Sequence, residues 1–463
     1  MTYAFTLDAS ACTGCKACQV ACKDKNNLPV GVLWRRVYEV SGGSWQRHVA
    51  SWVTDVFAYN LTIACNHCVH PKCAGVCPTD AFVQREDGIV YIDESKCIGC
   101  GYCNWACPYG VPQYNPELGC MTKCNFCMDN LEVGLPPACV AACPMRVLDF
   151  VTVDDGPQTV ENGSLSTVKN LLELWELPAS EHPFPLPNYS RTEPHLEIKP
   201  HLAMTNPLAK AVSNWEEVRP GKTKNDLPLV AFTLLGQMAT GMAILSLFSG
   251  PLSIPLLLVI GMLVGISGLI SLLHLGQPRN AWRAVIHLKK SWLSREILMF
   301  GLFGGSWLVS LFAPEIGQLS LALTGLGLVI SMAQVYRLHS IRAWDTNRTL
   351  LAFLVSAVLL GVAGLGILAT ATNGSPLPEC KFVLGAGLLG ALLLSLTDRN
   401  PAGKAAGRLR LGLIGLAMVG AITMYLWPDS VGRWSTIPIF IIACAEEAIG
   451  RWRFYEYLHQ RVL

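Results

Sequence analysis

Residues 97–108 read Cys-Ile-Gly-Cys-Gly-Tyr-Cys-Asn-Trp-Ala-Cys-Pro, with thiols at Cys97, Cys100, Cys103 and Cys107. Three cysteines recur at every third position, a fourth follows after three more, and Pro108 closes the run. The spacing C-x2-C-x2-C-x3-C-P wraps a cubane [4Fe–4S] cluster. The first three thiolates hold one cube on a tight loop. The fourth lies too far along the chain to join them and ligates a second cluster, so such runs come in pairs. Zinc usually takes its thiolates as two separated pairs rather than at i, i+3 and i+6. That sets aside a zinc site and, with it, a disulfide framework.

The pattern repeats. Cys12, Cys15, Cys18 and Cys22 keep the spacing, with Lys23 in place of the proline. Cys65, Cys68, Cys73 and Cys77-Pro78 have a wider second gap, and Cys124, Cys127, Cys139 and Cys143-Pro144 carry an insertion before the third thiol. Sixteen cysteines in four motifs imply four clusters, or two two-cluster ferredoxin units. Cross-ligation assigns them. Cys97, Cys100 and Cys103 pair with Cys77, and Cys65, Cys68 and Cys73 with Cys107. Cys12, Cys15 and Cys18 close on Cys143, and Cys124, Cys127 and Cys139 on Cys22. Cys120 is out of register and reads as a small buried side chain. His48, His67 and His70 read as surface or supporting residues, because every motif already has four thiols.

Seventeen of the 19 cysteines lie before residue 144, and every long apolar run lies after residue 226. With only 15% charged residues and a mean hydropathy of +0.37, the chain is too apolar for one soluble domain. The expected architecture is an α+β ferredoxin-like head holding two 2[4Fe–4S] units, followed by an all-α polytopic membrane domain. The head covers 1–201, including a proline-rich strap over 180–201. A linker covers 202–226 and the membrane domain 227–463. The net charge of +2 gives no footprint for nucleic acid. Met1–Ser10 has no secretory character, so the head is expected to acquire its clusters in the reducing cytoplasm. Within the head, Leu33–Val40 and Ser51–Leu61 have strand content, Gly42-Gly43 signals a turn, and Gly88–Asp93 reads as a hairpin arm. Thr167–Leu177 reads as a helix capped by Ser166 and stopped by Pro178.

Eight apolar segments follow: Leu227–Ser249, Leu252–Leu273, Leu293–Phe312, Leu319–Val335, Leu350–Ala371, Lys381–Leu396, Leu411–Leu426 and Ser435–Gly450. Most are long enough to cross a hydrocarbon core. Gly261, Gly265 and Gly268 would allow close helix contact. The loops after the second, fourth and sixth segments carry Arg279, Arg283, Lys289 and Lys290; Arg337, Arg342 and Arg348; and Arg399, Lys404, Arg408 and Arg410. The alternate loops are nearly bare. The positive side faces the cytoplasm and, with eight spans, also holds the head; a folded, exported partner could carry the head across instead. Polar residues gather at the same ends: His274, Glu296, Gln334, His339, Glu446, Glu447 and Arg451, with Gln237 deeper in the first segment. Ionisable groups in such places are costly and mark function. Quinone chemistry moves protons with electrons, and a histidine and a carboxylate can exchange those protons. A haem between His274 and His339 is disfavoured, because both sit at helix ends. A transporter with a metal-binding head is the contrasting reading, but transport sites lie at mid-depth.

These residues match a known family. Cys12-Thr-Gly-Cys-Lys-Ala-Cys18, Trp34-Arg-Arg36, Cys107-Pro-Tyr-Gly110, Pro112-Gln-Tyr-Asn115 and Met121-Thr-Lys-Cys124 resemble the four-cluster iron–sulfur subunit of dimethyl sulfoxide reductases. Phe232-Thr-Leu-Leu-Gly-Gln237, Leu273-His-Leu-Gly276, Ser294-Arg-Glu-Ile297 and Ile449-Gly-Arg451 resemble the eight-span anchor subunit of the same enzymes. The resemblance implies a partner subunit with molybdenum–bis(pterin guanine dinucleotide), which alone carries the molybdopterin. It implies electron transfer between that metal and a membrane quinol, menaquinone or ubiquinone. The first and fourth motifs would face the molybdenum subunit, and the second and third the membrane. The family's quinol-site histidine and glutamate fall on His274 and Glu296, with Arg279, Glu447 and Arg451 as further candidates. Cysteine at position 100, where some relatives have tryptophan and a [3Fe–4S] cluster, implies [4Fe–4S]. Head and anchor are separate polypeptides in most of the family; here one chain joins them. Cytoplasm-facing relatives with similar anchors oxidise sulfite, which leaves a sulfite dehydrogenase subunit as the alternative.

Overall fold

The computed structural model describes residues 2–49, 51–153, 192–205, 212–215, 227–248, 250–341, 343–372, 378–396, 404–426 and 435–459. The helix expected at Thr167–Leu177 and most of the strap lie outside these residues. The chain divides into two compact units, Met1–Lys224 and Asn225–Arg461.

The head is assembled from short strands that set thiol loops side by side. Strand β1 (Thr2–Asp8) is central in a three-stranded sheet, antiparallel to β10 (Leu148–Val153) and parallel to β11 (Leu196–Lys199). Leu7 pairs with Leu148, so Cys12 and Cys143, each five residues outside that pair, leave the sheet together. The hairpin of β6 (Phe82–Gln84) and β7 (Val90–Ile92) repeats the device. Phe82 pairs with Ile92, and Cys77 and Cys97 each lie five residues beyond. A second sheet orders β12 (Val212–Trp215), β2 (Arg36–Gly42) and β5 (Phe57–Ile63). The stretch read as Ser51–Leu61 is therefore split into β4 (Ser51–Thr54), which pairs with β3 (Trp45–His48), and β5. The segment read as a linker also contributes β12 to this sheet. Strands β8 (Gln113–Asn115) and β9 (Cys120–Thr122) form a last hairpin.

Among the described residues the head's helices are short: α1 (Ala17–Lys25), α2 (Lys72–Val76), α3 (Tyr102–Ala106), α4 (Met128–Glu132), α5 (Ala138–Ala141) and α6 (Leu202–Thr205). Ligand loops interrupt the chain too often for longer ones. The core between the sheets is aromatic and aliphatic: Phe5 stacks on Phe126 at 4.1 Å, and Leu61, Val40 and Ile198 are fully buried.

Among the described residues the second unit holds eight α-helices: α7 (Leu227–Ser246), α8 (Ile254–Leu273), α9 (Trp292–Phe312), α10 (Pro314–Tyr336), α11 (Asn347–Ala371), α12 (Pro378–Leu396), α13 (Lys404–Leu426) and α14 (Thr436–His459). Six are long and apolar enough to cross a membrane: α7 to α11, and Ala406–Leu426 within α13. In α12 the apolar part is Phe382–Leu396, which is shorter. In α14 the apolar run is broken by Glu446, Glu447, Arg451 and Arg453, all buried. Glu446, Glu447 and Arg451 were expected to end the eighth segment. The helix instead continues to His459, leaving Glu447 roughly three turns and Arg451 about two turns from its end.

Ser253 and Ser291 cap α8 and α9, their hydroxyls accepting from Leu256 and Ser294 N–H. Leu258, Met262 and Leu269 of α8 and Phe312 of α9 point outward, as lipid-facing side chains do. Gly261 lies under Trp307, whose Nε1 donates to the Leu257 carbonyl at 2.7 Å, and Gly268 lies under Phe300, while Gly265 faces open space. The tightest approach is one the sequence reading did not single out. A methyl group on Gly241 of α7 would stand 2.8 Å from Cα of Gly361 on α11 and would also strike Ala357. Gly241→Val should therefore cost roughly 1–3 kcal/mol by overpacking. Thermal unfolding of the membrane unit in detergent should begin at lower temperature while cluster absorbance of the head persists; an unchanged melt would contradict this contact.

Candidate functional site: four thiol quartets and a buried polar network

All four thiol loops share one backbone device. The residue two after the first cysteine has positive φ in each: Gly14 (69°), His67 (43°), Gly99 (65°) and Phe126 (63°). The turn aims that residue's N–H back at the first sulfur. His67 donates to Cys65 Sγ at 3.5 Å, Gly99 to Cys97 at 3.3 Å and Phe126 to Cys124 at 3.4 Å; Gly14 does the same to Cys12. Glycine suits this conformation, whereas His67 and Phe126 bear strain on the order of 1–3 kcal/mol. Both are completely buried and meet edge to face at 5.2 Å, which holds them there. His67 is thus a core residue that shapes a ligand loop, whereas His48 and His70 are exposed.

The loops converge in four sets. Cys12, Cys15, Cys18 and Cys143 line one cavity. Cys77, Cys97, Cys100 and Cys103 line another. Cys22 faces Cys139 and Cys127, and Cys124 faces Cys22 and Cys139. Cys73 faces Cys107, Cys65 and Cys68. Packing of α1 on α5 makes the Cys22 set, because these helices carry Cys22 and Cys139. Neighbouring sets also meet: Cys18 faces Cys139, Cys124 faces Cys65, and Cys103 faces Cys73. The sets therefore follow one another as Cys12/15/18/143, Cys22/124/127/139, Cys65/68/73/107 and Cys77/97/100/103. The first reaches the surface at Cys15 and the last is half-buried at Cys100, while Cys22, Cys124, Cys127 and Cys139 are all buried. Cys120 is buried in β9, outside these sets, and burial pushes its thiol up to about 12.

Burial also pushes the Cys22 thiol up to about 12, helped by the charges of Cys139 and Cys127. Thiolates crowded this way need positive charge among them. Quartets of thiols on such loops suit a cube. Two buried cations also fit net-anionic cubes. The guanidinium of Arg35 has Nε and Nη2 buried without a protein acceptor, and Lys123 Nζ lies 3.4 Å from Cys65 Sγ.

In the second unit, His274 caps α8 and is 8% exposed, and Glu296 near the start of α9 is 4% exposed. A 3-10 segment, Pro278–Val285, leads from one toward the other and carries Arg279 at the surface. Glu296 lies within charge range of the Tyr336 hydroxyl, as does Arg451. Tyr336 and Tyr455 share a hydrogen bond of 2.5 Å between hydroxyls. Arg451 donates to Gln237 Oε1 at 3.0 Å and lies 3.9 Å over the Phe353 ring. Glu447 accepts from Ser356 Oγ at 2.6 Å, and Glu446 pairs with Arg410. Gln237 of α7 and the polar residues of α14 thus form a buried cluster beside Tyr336 and Tyr455, with Glu296 of α9 within charge range; the two tyrosines were not named from sequence because aromatic residues near helix ends carry no distinctive signal. His339 is outside it, exposed and paired with Asp345, which removes the support for a haem between His274 and His339.

Thiol loops of this geometry on a ferredoxin-like head, followed in the chain by long apolar helices, define an iron–sulfur electron-transfer protein with a multi-pass membrane anchor. Comparison with known sequences narrows the class. The 4Fe-4S dicluster domain family matches residues 56–153, and the DMSO reductase anchor subunit (DmsC) family matches residues 221–384. The B component of the anaerobic dimethyl sulfoxide reductase of Escherichia coli (strain K12) is 46% identical over 199 residues, 43% of this chain and 89% of the relative. The probable anaerobic dimethyl sulfoxide reductase component YnfG of the same strain is 46% identical over 218 residues, 47% of this chain and 98% of the relative. The B component of the tetrathionate reductase of Salmonella typhimurium is 44% identical over 143 residues, 30% of this chain and 54% of the relative. The protein belongs to the dimethyl sulfoxide reductase family, as an iron–sulfur subunit continuous with its anchor. The anchor match ends inside α12, so it includes His274 and Glu296 but not Glu447 or Arg451.

The pairing of loops is testable at one thiol. Cys77→Ser should remove or convert the cluster held by Cys97, Cys100 and Cys103 and leave the other three signals in the low-temperature EPR spectrum. Loss of the cluster held by Cys65, Cys68 and Cys73 instead would contradict the assignment.

Proposed function

We propose that this chain is the electron-transfer and anchor subunit of a quinone-linked molybdoenzyme. It links a membrane quinol, menaquinone or ubiquinone, to a catalytic subunit holding molybdenum–bis(pterin guanine dinucleotide). When bound, four [4Fe–4S] clusters supply one-electron steps along the head. The observation that carries the reading is the unbroken succession of thiol quartets, opening to the surface at Cys15, in the same chain as a buried carboxylate–tyrosine–arginine network. Nothing else in the described residues offers chemistry for reducing a sulfoxide, so that step falls to the partner.

In the anchor, His274 and Glu296 hold and exchange the protons that a quinol releases, because a buried imidazole and carboxylate are the groups able to do so near neutral pH. Tyr336 places its hydroxyl within charge range of Glu296, and Arg279, Glu447 and Arg451 are further candidates for contact with the quinone or its protons. The eight helices are read as eight spans, with the basic loops and the head on the cytoplasmic side of the inner membrane, unless an exported partner carries the head across. That same charge pattern favours a second reading, a cytoplasm-facing sulfite dehydrogenase subunit running electrons toward quinone. The catalytic polypeptide that co-purifies separates the two.

His274→Ala and Glu296→Gln should each lower quinol-driven turnover of the complex by about two orders of magnitude or more. Dye-driven turnover and cluster EPR signals should be preserved. Equal loss of dye-driven activity would refute a role at the quinone.

A further inference from the structure

Two cations are sealed inside the head between successive thiol quartets. Arg35 is 2% exposed and Lys123 is 3% exposed. The guanidinium of Arg35 faces Cys139, Cys124, Cys18 and Cys22, which belong to the first and second quartets. It is held by Nη1, which donates to Thr62 Oγ1 at 3.3 Å and to the Thr62 carbonyl at 3.4 Å, and by the Phe5 ring 4.4 Å below. Thr62 Oγ1 in turn lies 3.3 Å from Cys18 Sγ. Nε and Nη2 remain buried without a protein partner. A guanidinium with idle donors in a dry interior is costly unless anions stand opposite them.

Lys123 occupies the next gap. Its Nζ donates to Cys65 Sγ at 3.4 Å, in the third quartet, to the Cys124 carbonyl at 3.1 Å, in the second, and to the Val90 carbonyl. All three ammonium protons are thereby used. Among the described residues neither cation pairs with a carboxylate: Arg35 lies among thiols of the first and second quartets, and Lys123 lies against thiol sulfur of the third and the backbone carbonyl of Cys124 in the second.

We propose that Arg35 and Lys123 are built-in cationic spacers, the first shared by the first and second clusters and the second by the second and third. A cube with four thiolates is net anionic and becomes more so on reduction, so a nearby buried cation favours the reduced form. The second cluster, flanked by both, gains most, and the fourth, beside Cys100, gains nothing from either. The proposal rests on the four-cluster reading of the head.

The test is potentiometric EPR on the membrane-bound complex. Arg35→Gln should lower the midpoint potentials of two clusters, each by at least tenfold in the reduction equilibrium, about 59 mV for one electron. Lys123→Met should lower two as well. One cluster should be common to both pairs, and one should move in neither. Arg35→Lys should keep all four near their native values. Unmoved potentials, a uniform shift of all four, or an Arg35→Lys shift as large as that of Arg35→Gln would overturn the proposal. If a neutral variant fails to load its clusters, Arg35→Lys must still load four at near-native potentials, and equal loss there also overturns it. Fewer than four clusters in the unsubstituted protein would refute the four-quartet reading instead.

Discussion

The head depends on gathering sixteen thiols into a space that repels the charge they must carry. Buried thiolates destabilise one another, and low dielectric magnifies the repulsion. The fold answers with backbone N–H groups turned onto the first sulfur of every loop, with Arg35 and Lys123 between quartets, and with the iron that the loops are spaced to hold. The short strands serve this end. Two antiparallel pairs each deliver two ligand cysteines to the same place: β1 with β10 for Cys12 and Cys143, and β6 with β7 for Cys77 and Cys97. Binding of metal and folding of such a head are one event, because the thiolates find their counter-charge only when loaded.

The membrane unit meets a similar problem with different means. Carboxylates and an arginine lie among helices where no water is at hand to solvate them. They pair in part, Arg451 with Gln237, Glu447 with Ser356 and Glu446 with Arg410, while Gln237 Nε2, Glu446 Oε2 and Arg451 Nε stay buried without a protein partner. Two tyrosine hydroxyls join the α10 and α14 ends of that network. Such a cluster is expensive to bury and is kept where protons or charged ligands are handled.

Much of this was legible in the sequence because cysteine spacing is itself geometry. A run at i, i+3 and i+6 can close on one cube only as a tight loop, and a thiol left over must look elsewhere for its cluster. The helices were legible because apolar length is a membrane constraint. Arg35 and Lys123 carried no such signal: a cation beside a cysteine motif looks the same in sequence whether it points to water or between two quartets. The full length of α14 was hidden because its own functional charges interrupt the hydropathy on which its boundary was read. Strand β12 was hidden in a polar stretch whose pairing with β2 depends on a partner far away in sequence.

The sixteen thiols imply a complete series of four cubanes on one polypeptide. Iron and acid-labile sulfide analysis of the purified complex, combined with Mössbauer spectroscopy to distinguish cluster types, measures this directly. Four [4Fe–4S] clusters are expected for each copy of this polypeptide. Two or fewer, or iron in isolated mononuclear sites, would contradict it.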